Sequence, residues 1–349
     1  MTGPRILFIV DAGPRVGGGH VMRSLTLARA MEAQGAAVQF LGSAEAGAVI
    51  EVFGAGMAHS QALSSSAPDL LAAASGETFD AVVFDHYGLA EADHRTLAQG
   101  HPVLVIDDLA DRPLGADVVL DAGPERLAAE YDSLVPPTTR LLLGPTFAPV
   151  RPEFSVLREP ALAWRGEPVQ RILVAMGLTD LDGITARVVE RLRLRVRDIG
   201  LDIVIGAAAP SAEGLTRIAR RDARLLLHTD TPHMARLSAE ADIAVGAPGS
   251  STWERCTLGL PSILVVLADN QRPAARALEA RGAALVVDAA DPAFDATFDR
   301  HLTHLLRDAD LRRQLAARSA ELCDGLGAGR VAEIFLKLIA ARAAPPNDP

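Results

Sequence analysis

The sequence predicts an α/β protein of two halves, each a parallel sheet with helices between its strands, the two sheets facing one another across a cleft. Three observations predict it. Short apolar runs of strand length alternate with helix-like segments along the whole chain. Prolines 145, 149 and 152 break that pattern near its middle. A loop of small residues follows a strand in each half, Val16–His20 in the first and Gly246–Ser250 in the second.

In the first half, strands are expected at Ile6–Asp11, Val38–Leu41, Ala81–Asp85, Val103–Asp107, Val118–Leu120 and Leu141–Leu143. A helix is expected over Val21–Gln34, with Leu25, Ala28 and Met31 near helical spacing and Gly35 as its stop. The prolines mark a hinge near residues 145–165. The second half restarts at Arg171–Ala175 and continues with strands at Ile203–Gly206, Leu225–His228, Ile243–Val245, Ile263–Leu267 and Ala284–Val287. Helices are expected at Pro232–Glu240 and Ser251–Thr257, and over Asp308–Arg342 with an interruption at Gly325-Leu326-Gly327. The division is then 1–150, 151–325 and a closing helix and disordered tail at 326–349.

The chain has 349 residues, enough for two cores, and 49% hydrophobic residues to fill them. A net charge of −10 argues against DNA or RNA as a partner. No apolar run approaches the ~20 residues of a membrane span, so no stable membrane association is expected. The first residues lack the basic and apolar regions of a signal peptide, and two cysteines, Cys256 and Cys323, build no disulfide framework. The cytoplasm is the expected compartment, and a monomer the expected state. Lys337 is the single lysine, which removes a P-loop lysine and Schiff-base chemistry.

The loop Gly17-Gly18-Gly19-His20, with Arg23 three residues on, puts backbone N–H groups and an imidazole at a helix start. A helix start disfavours the imidazolium, and a neutral ring is what a general base needs. Gly249-Ser250-Ser251-Thr252 repeats the device in the second half, and Glu254 is placed either to meet sugar hydroxyls or to close a capping box. Asp85-His86-Tyr87-Gly88 and Asp107-Asp108 end two strands: Tyr87 could meet a sugar or pack in a turn, and the paired acids could be an acid, metal ligands or turn formers. Asp269-Asn270-Gln271 ends another strand with three polar groups, or caps a helix. Met176-Gly177-Leu178-Thr179-Asp180 closes the strand Arg171–Ala175. The remaining histidines show no ligand spacing, and no metal site or cofactor is expected.

On these segments, from Arg5 to about Val331, the chain resembles the UDP-2,4-diacetamido-2,4,6-trideoxy-β-L-altropyranose hydrolases of the pseudaminic acid pathway, relatives of the GT-B glycosyltransferases. The glycine-histidine and serine-glutamate segments occur across those relatives, while Asp85-His86-Tyr87-Gly88 and Asp269-Asn270-Gln271 are more specific to the hydrolases. The resemblance implies two Rossmann-like domains in the GT-B manner and hydrolysis of a UDP-sugar in nonulosonic acid biosynthesis, of the kind that serves flagellin or surface-polysaccharide decoration. It implies that His20 activates water, with Tyr87 and Asn270 lining the sugar and water site. It implies that Ser250, Ser251 and Glu254 hold UDP, with Gly19, Arg23, Asp85, Gly177, Gly249 and Gln271 as further substrate contacts. The family's Met-Gly-Gly-Thr-Asp loop carries Leu178 here in place of its second glycine.

Three other readings compete. A GT-B glycosyltransferase would pass the sugar to an acceptor. A dehydrogenase is disfavoured because no third glycine stands at Met22. A non-catalytic nucleotide-sugar-binding module would bind UDP without turnover.

Overall fold

The computed structural model describes residues 3–13 and 16–343. Of the expected tail Ala343–Pro349, residues 344–349 lie outside them, as do residues 1–2 and 14–15. Two compact units divide the chain: Met1–Pro149 with Leu326–Pro349, and Val150–Gly325.

The first unit holds seven parallel strands: β1 (Arg5–Val10), β2 (Ala37–Gly42), β3 (Ala58–Gln61), β4 (Ala81–Asp85), β5 (Val103–Ile106), β6 (Val118–Asp121) and β7 (Arg140–Leu143). Their order is β3-β2-β1-β4-β5-β6-β7. The chain winds outward from β1 in one direction, returns to β4 on its other side, and winds away again. The switch point of this sheet therefore lies between the ends of β1 and β4, where open α/β sheets bind ligands. Val10 pairs with Asp85 there.

The second unit repeats the plan with six strands: β8 (Arg171–Ala175), β9 (Gly200–Ile205), β10 (Leu225–Thr229), β11 (Ile243–Gly246), β12 (Ser262–Val266) and β13 (Leu285–Asp288). Their order is β10-β9-β8-β11-β12-β13, which puts the switch point between β8 and β11. Both sheets are parallel throughout, so both faces need helical cover, and the central strands β4, β5, β6, β11 and β12 are buried along their full lengths.

Helix Gly19–Glu32 packs one face of the first sheet through Val21, Leu25, Ala28 and Met31. Behind it lies the final helix, Gly327–Ala343, whose Val331, Ala332, Phe335 and Ile339 join the same core. Gly327 permits this approach, since a Cβ there would stand 2.3 Å from the carbonyl oxygen of Ala148.

Three expectations need correction. Strand β3 is absent from the expected set because it is a polar edge strand, Ala58-His59-Ser60-Gln61, with no apolar run to mark it. The expected hinge at 145–165 is mostly helix, Pro152–Ala163: Pro152 stands in its first turn, where a missing N–H costs nothing, and Pro160 is accommodated inside it. Glu254 forms no capping box, because Ser250 already has helical backbone angles and makes no side-chain cap bond. No described helix is long and apolar enough to cross a membrane.

Candidate functional site

In the first unit, the loop after β1 doubles back on itself: Gly13 and Gly17 exchange backbone bonds, and Gly17 takes φ +76. Gly18 then stands at the N-cap of the helix, with no side-chain cap and no acid in the first turn. Gly19 opens the helix, and His20, Arg23 and Ser24 follow at spacings of i, i+3 and i+4 along one face.

All three reach one carboxylate, Asp85 at the end of β4. His20 Nδ1 lies 2.5 Å from Asp85 Oδ1. Arg23 donates from Nη2 to Oδ1 and from Nε to Oδ2, both at 2.7 Å, and Ser24 Oγ donates to Oδ2 at 3.0 Å. Asp85 is 0% exposed. Burial alone would raise its pKa, but the charge of Arg23 and the contact with His20 outweigh it and hold the carboxyl well below the usual range. The bidentate geometry is of the kind that makes a buried ion pair worth keeping.

The direction of the histidine bond follows from this. An ionised Asp85 only accepts, so Nδ1 carries the hydrogen and the other ring nitrogen, Nε2, presents a lone pair when the ring is neutral. The Tyr87 ring stands edge-on to His20, with centroids 4.4 Å apart and planes at 86°. It is presented by a turn in which Gly88 N–H donates to His86 Nδ1 at 3.0 Å. The Tyr87 hydroxyl donates to Asp108 Oδ1 at 2.5 Å, and Arg23 Nη1 donates to Asp108 Oδ2 at 2.9 Å.

The structure thus brings the His20 and Tyr87 rings together, one at a helix start and the other past a strand end, while two assignments change. Asp85 is placed behind the histidine with both oxygens occupied, as a positioning group and not a substrate contact. The Arg23 guanidinium is taken up between Asp85 and Asp108, and its side chain is 13% exposed, which removes it from any phosphate. Asp107 is neither acid nor metal ligand: Arg112 Nη1, Ala110 N–H and the Tyr131 hydroxyl all donate to it at 2.8 Å. Among the described residues no cluster of three or more His, Cys, Asp or Glu could hold a metal.

In the second unit, Gly177 after β8 takes φ +106, a conformation that favours glycine. The next residue, Leu178, lies against β9: a Cβ at Gly206 would stand 2.3 Å from its carbonyl oxygen. After β11, Gly249 and Ser250 lead into the short helix Ser251–Thr257. Beneath this loop lies Arg255, 2% exposed, which donates to Ser251 Oγ, Thr252 Oγ1 and the carbonyl of Ala247 at 2.9–3.1 Å. Burial lowers its pKa to about 10. Gly246 makes room for it, since a Cβ there would meet the Arg255 Nη1 at 2.7 Å. Glu254 accepts from Arg151 Nε at 2.8 Å through Oε1.

Past β12, the three polar residues separate in role. Asp269 pairs with Arg272 at 2.9 Å, and Gln271 turns back to accept from the Leu267 N–H at 2.9 Å. The Gln271 side-chain oxygen is thereby committed to a turn bond. Asn270 is exposed. Sequence reasoning passed over Arg255, Arg151 and Ser24. Only the i+4 spacing of Ser24 from His20 and of Arg255 from Ser251 offered a signal.

No family model matches the chain. It is 27% identical over 202 residues to the spore coat polysaccharide biosynthesis protein SpsG of Bacillus subtilis, covering 57% of this chain and 59% of that protein. It is 24% identical over 281 residues to the UDP-2,4-diacetamido-2,4,6-trideoxy-β-L-altropyranose hydrolase of Campylobacter jejuni, covering 80% of this chain and 97% of that one. The chain spans about three fifths of the length of the first of these relatives. Among solved structures it is similar to MurG of Acinetobacter baumannii, with a TM-score of 0.64 at 19% identity over 96% of this chain and 99% of that one. The fold is GT-B-like, with two Rossmann-like α/β domains, and the chain resembles the Campylobacter hydrolase over four fifths of its length.

Proposed function

We propose that the protein hydrolyses a UDP-sugar of the diacetamido-trideoxyhexose class to free sugar and UDP, in nonulosonic acid biosynthesis in the cytoplasm. The observation that carries this is the 2.5 Å contact between His20 Nδ1 and Asp85, which leaves Nε2 as the acceptor facing away from the carboxylate. A base so oriented takes one proton from water while the water oxygen attacks the anomeric carbon. The C1–O bond breaks, its electron pair leaves with the β-phosphate of UDP, and a single displacement inverts C1.

In this reading Tyr87 and Asn270 line the sugar and water site, and the exposure of Asn270 suits that task. Gly19, Gly177 and Gly249 bring backbone close to the substrate. Ser250 and Ser251 hold the diphosphate, Arg255 braces their loop, and Glu254, steadied by Arg151, takes the ribose hydroxyls. Resemblance to the Campylobacter hydrolase supports hydrolysis over transfer, since the GT-B fold alone serves glycosyltransferases as well.

Incubation with a panel of UDP-diacetamido-trideoxyhexoses in ¹⁸O-labelled water tests the proposal. Label in the sugar, UDP released without any acceptor, and an inverted first-formed anomer are expected. Label in UDP would contradict C–O cleavage, and release only on adding a sugar acceptor would replace hydrolysis by transfer.

A further inference from the structure

We infer that Asp108 is a positioning residue: by accepting the Tyr87 hydroxyl hydrogen, it turns the phenol oxygen into a hydrogen-bond acceptor beside His20. The direction of that bond stands on geometry, and its kinetic consequence rests on the hydrolase reading above.

Asp108 follows β5 and meets two donors, the Tyr87 hydroxyl at 2.5 Å on Oδ1 and Arg23 Nη1 at 2.9 Å on Oδ2. An ionised carboxylate offers no hydrogen, and arginine cannot give up its own, so the phenol hydrogen is committed to Asp108. Burial pushes the Asp108 carboxyl upward, yet the Arg23 charge and the Tyr87 bond bring it below the ordinary carboxylate value. The Tyr87 phenol is held far above its ordinary value, by burial first and by the Asp108 charge second.

The backbone beneath Asp108 is held from several sides. Arg126 Nη2 donates to its carbonyl oxygen at 2.8 Å, and the preceding Asp107 is tied to Arg112, Ala110 and Tyr131. A water attacking with His20 as base gives one proton to Nε2, and its second hydrogen needs an acceptor. A phenol oxygen whose own hydrogen points away supplies one.

Asp108→Asn reverses this polarity at unchanged shape. An amide has one accepting oxygen; Arg23 can only donate, so it claims that oxygen and leaves the NH₂ facing Tyr87. The Tyr87 hydroxyl hydrogen then turns toward the water. The chain has only two tyrosines, Tyr87 and Tyr131, so ¹³Cζ-tyrosine NMR gives one resonance for each, and Y87F assigns them. In D108N the Tyr87 resonance is expected to move and the Tyr131 resonance to stay. An unmoved Tyr87 resonance overturns the assigned bond whatever the activity.

For UDP release, D108N is expected to lower kcat about tenfold with little change in KM, as for the loss of one hydrogen bond in the transition state. In a Y87F background the same substitution is expected to cost less than about twofold, because its route of action is gone. Additive losses would make Asp108 structural only. Should D108N fail to fold, Asp108→Ser keeps a small acceptor and is read by the same resonance and the same cycle. Wild-type protein that releases no UDP from the panel would defeat the hydrolase reading and leave the NMR result standing.

Discussion

At the switch point of the first sheet, charged groups are spent on one another, whereas the equivalent place in the second sheet is dressed with hydroxyls and backbone. His20, Arg23, Asp85, Tyr87 and Asp108 form one connected chain of bonds, each fixing the next. The loop Gly249–Glu254 meets two arginines of its own unit, Arg255 below and Arg151 at the side. Two sheets of one design thus diverge: in one, charged side chains fix one another at the strand ends, and in the other a loop of small residues and hydroxyls stands over a buried arginine. Reaction geometry tolerates little movement and affinity tolerates more, which predicts how each region responds to substitution.

The largest effect is expected at His20. His20→Asn should lower kcat for UDP release by roughly 10²–10⁴-fold while UDP affinity, measured by calorimetry, stays within about twofold. Loss of UDP binding in a folded variant would erase the division between the two regions.

Asp85→Asn comes next and should be felt in both stability and turnover. It leaves Arg23 short of a buried counter-charge, a loss of about 3–5 kcal/mol for broken pairs of this kind, read from urea melts. The pH dependence has a definite sign. Because the folded carboxyl titrates below its ordinary value, its stabilisation is complete above about pH 4 and is lost as pH falls through the depressed value. The deficit of D85N should shrink as pH falls below about 4, where the wild-type carboxyl takes up its proton. A deficit undiminished in strong acid would refute the assigned charge state.

In the second unit, Glu254→Gln should raise KM for the UDP-sugar about tenfold with kcat nearly unchanged, as for a lost charged hydrogen bond made equally in ground and transition states. A fall in kcat alone would place Glu254 in the chemistry and blur the contrast. The smallest effect is expected from Leu178→Gly, which gives the chain the Met-Gly-Gly loop of the hydrolases it resembles. It should shift relative kcat/KM among N-acyl variants of the sugar by less than about tenfold, the scale of a change of one apolar contact.

Much of this was legible because apolar runs mark buried parallel strands, and loops after their ends are where polar residues accumulate. That rule puts Tyr87 in a loop beyond a strand end, while a site shared with His20 is implied only by the resemblance to the hydrolases. Asp85 could not be separated from a substrate contact, since β4 is buried on both faces and carries no alternation to show which way its last side chain turns. Asp107 and Asp108 look alike in sequence, yet one is tied inward to Tyr131 and the other meets Tyr87 and Arg23. Asp269, Asn270 and Gln271 posed the same difficulty: which one remains free depends on a single turn bond to Leu267. Strand β3 escaped notice because an edge strand needs no hydrophobic face on its outer side.

The last helix packs directly behind the helix that carries His20, although more than 300 residues separate Gly19 from Gly327 in the chain. During synthesis, the ribosome therefore completes the whole second unit before the first can close its core around Val331, Phe335 and Ile339. Until then helix Gly19–Glu32 rests on the sheet through Val21, Leu25, Ala28 and Met31 but lacks the helix that packs behind it. A shortened product that ends before residue 331 keeps the sheet beneath the His20 helix and loses the packing behind it, so the first unit closes its core only after the second has been made.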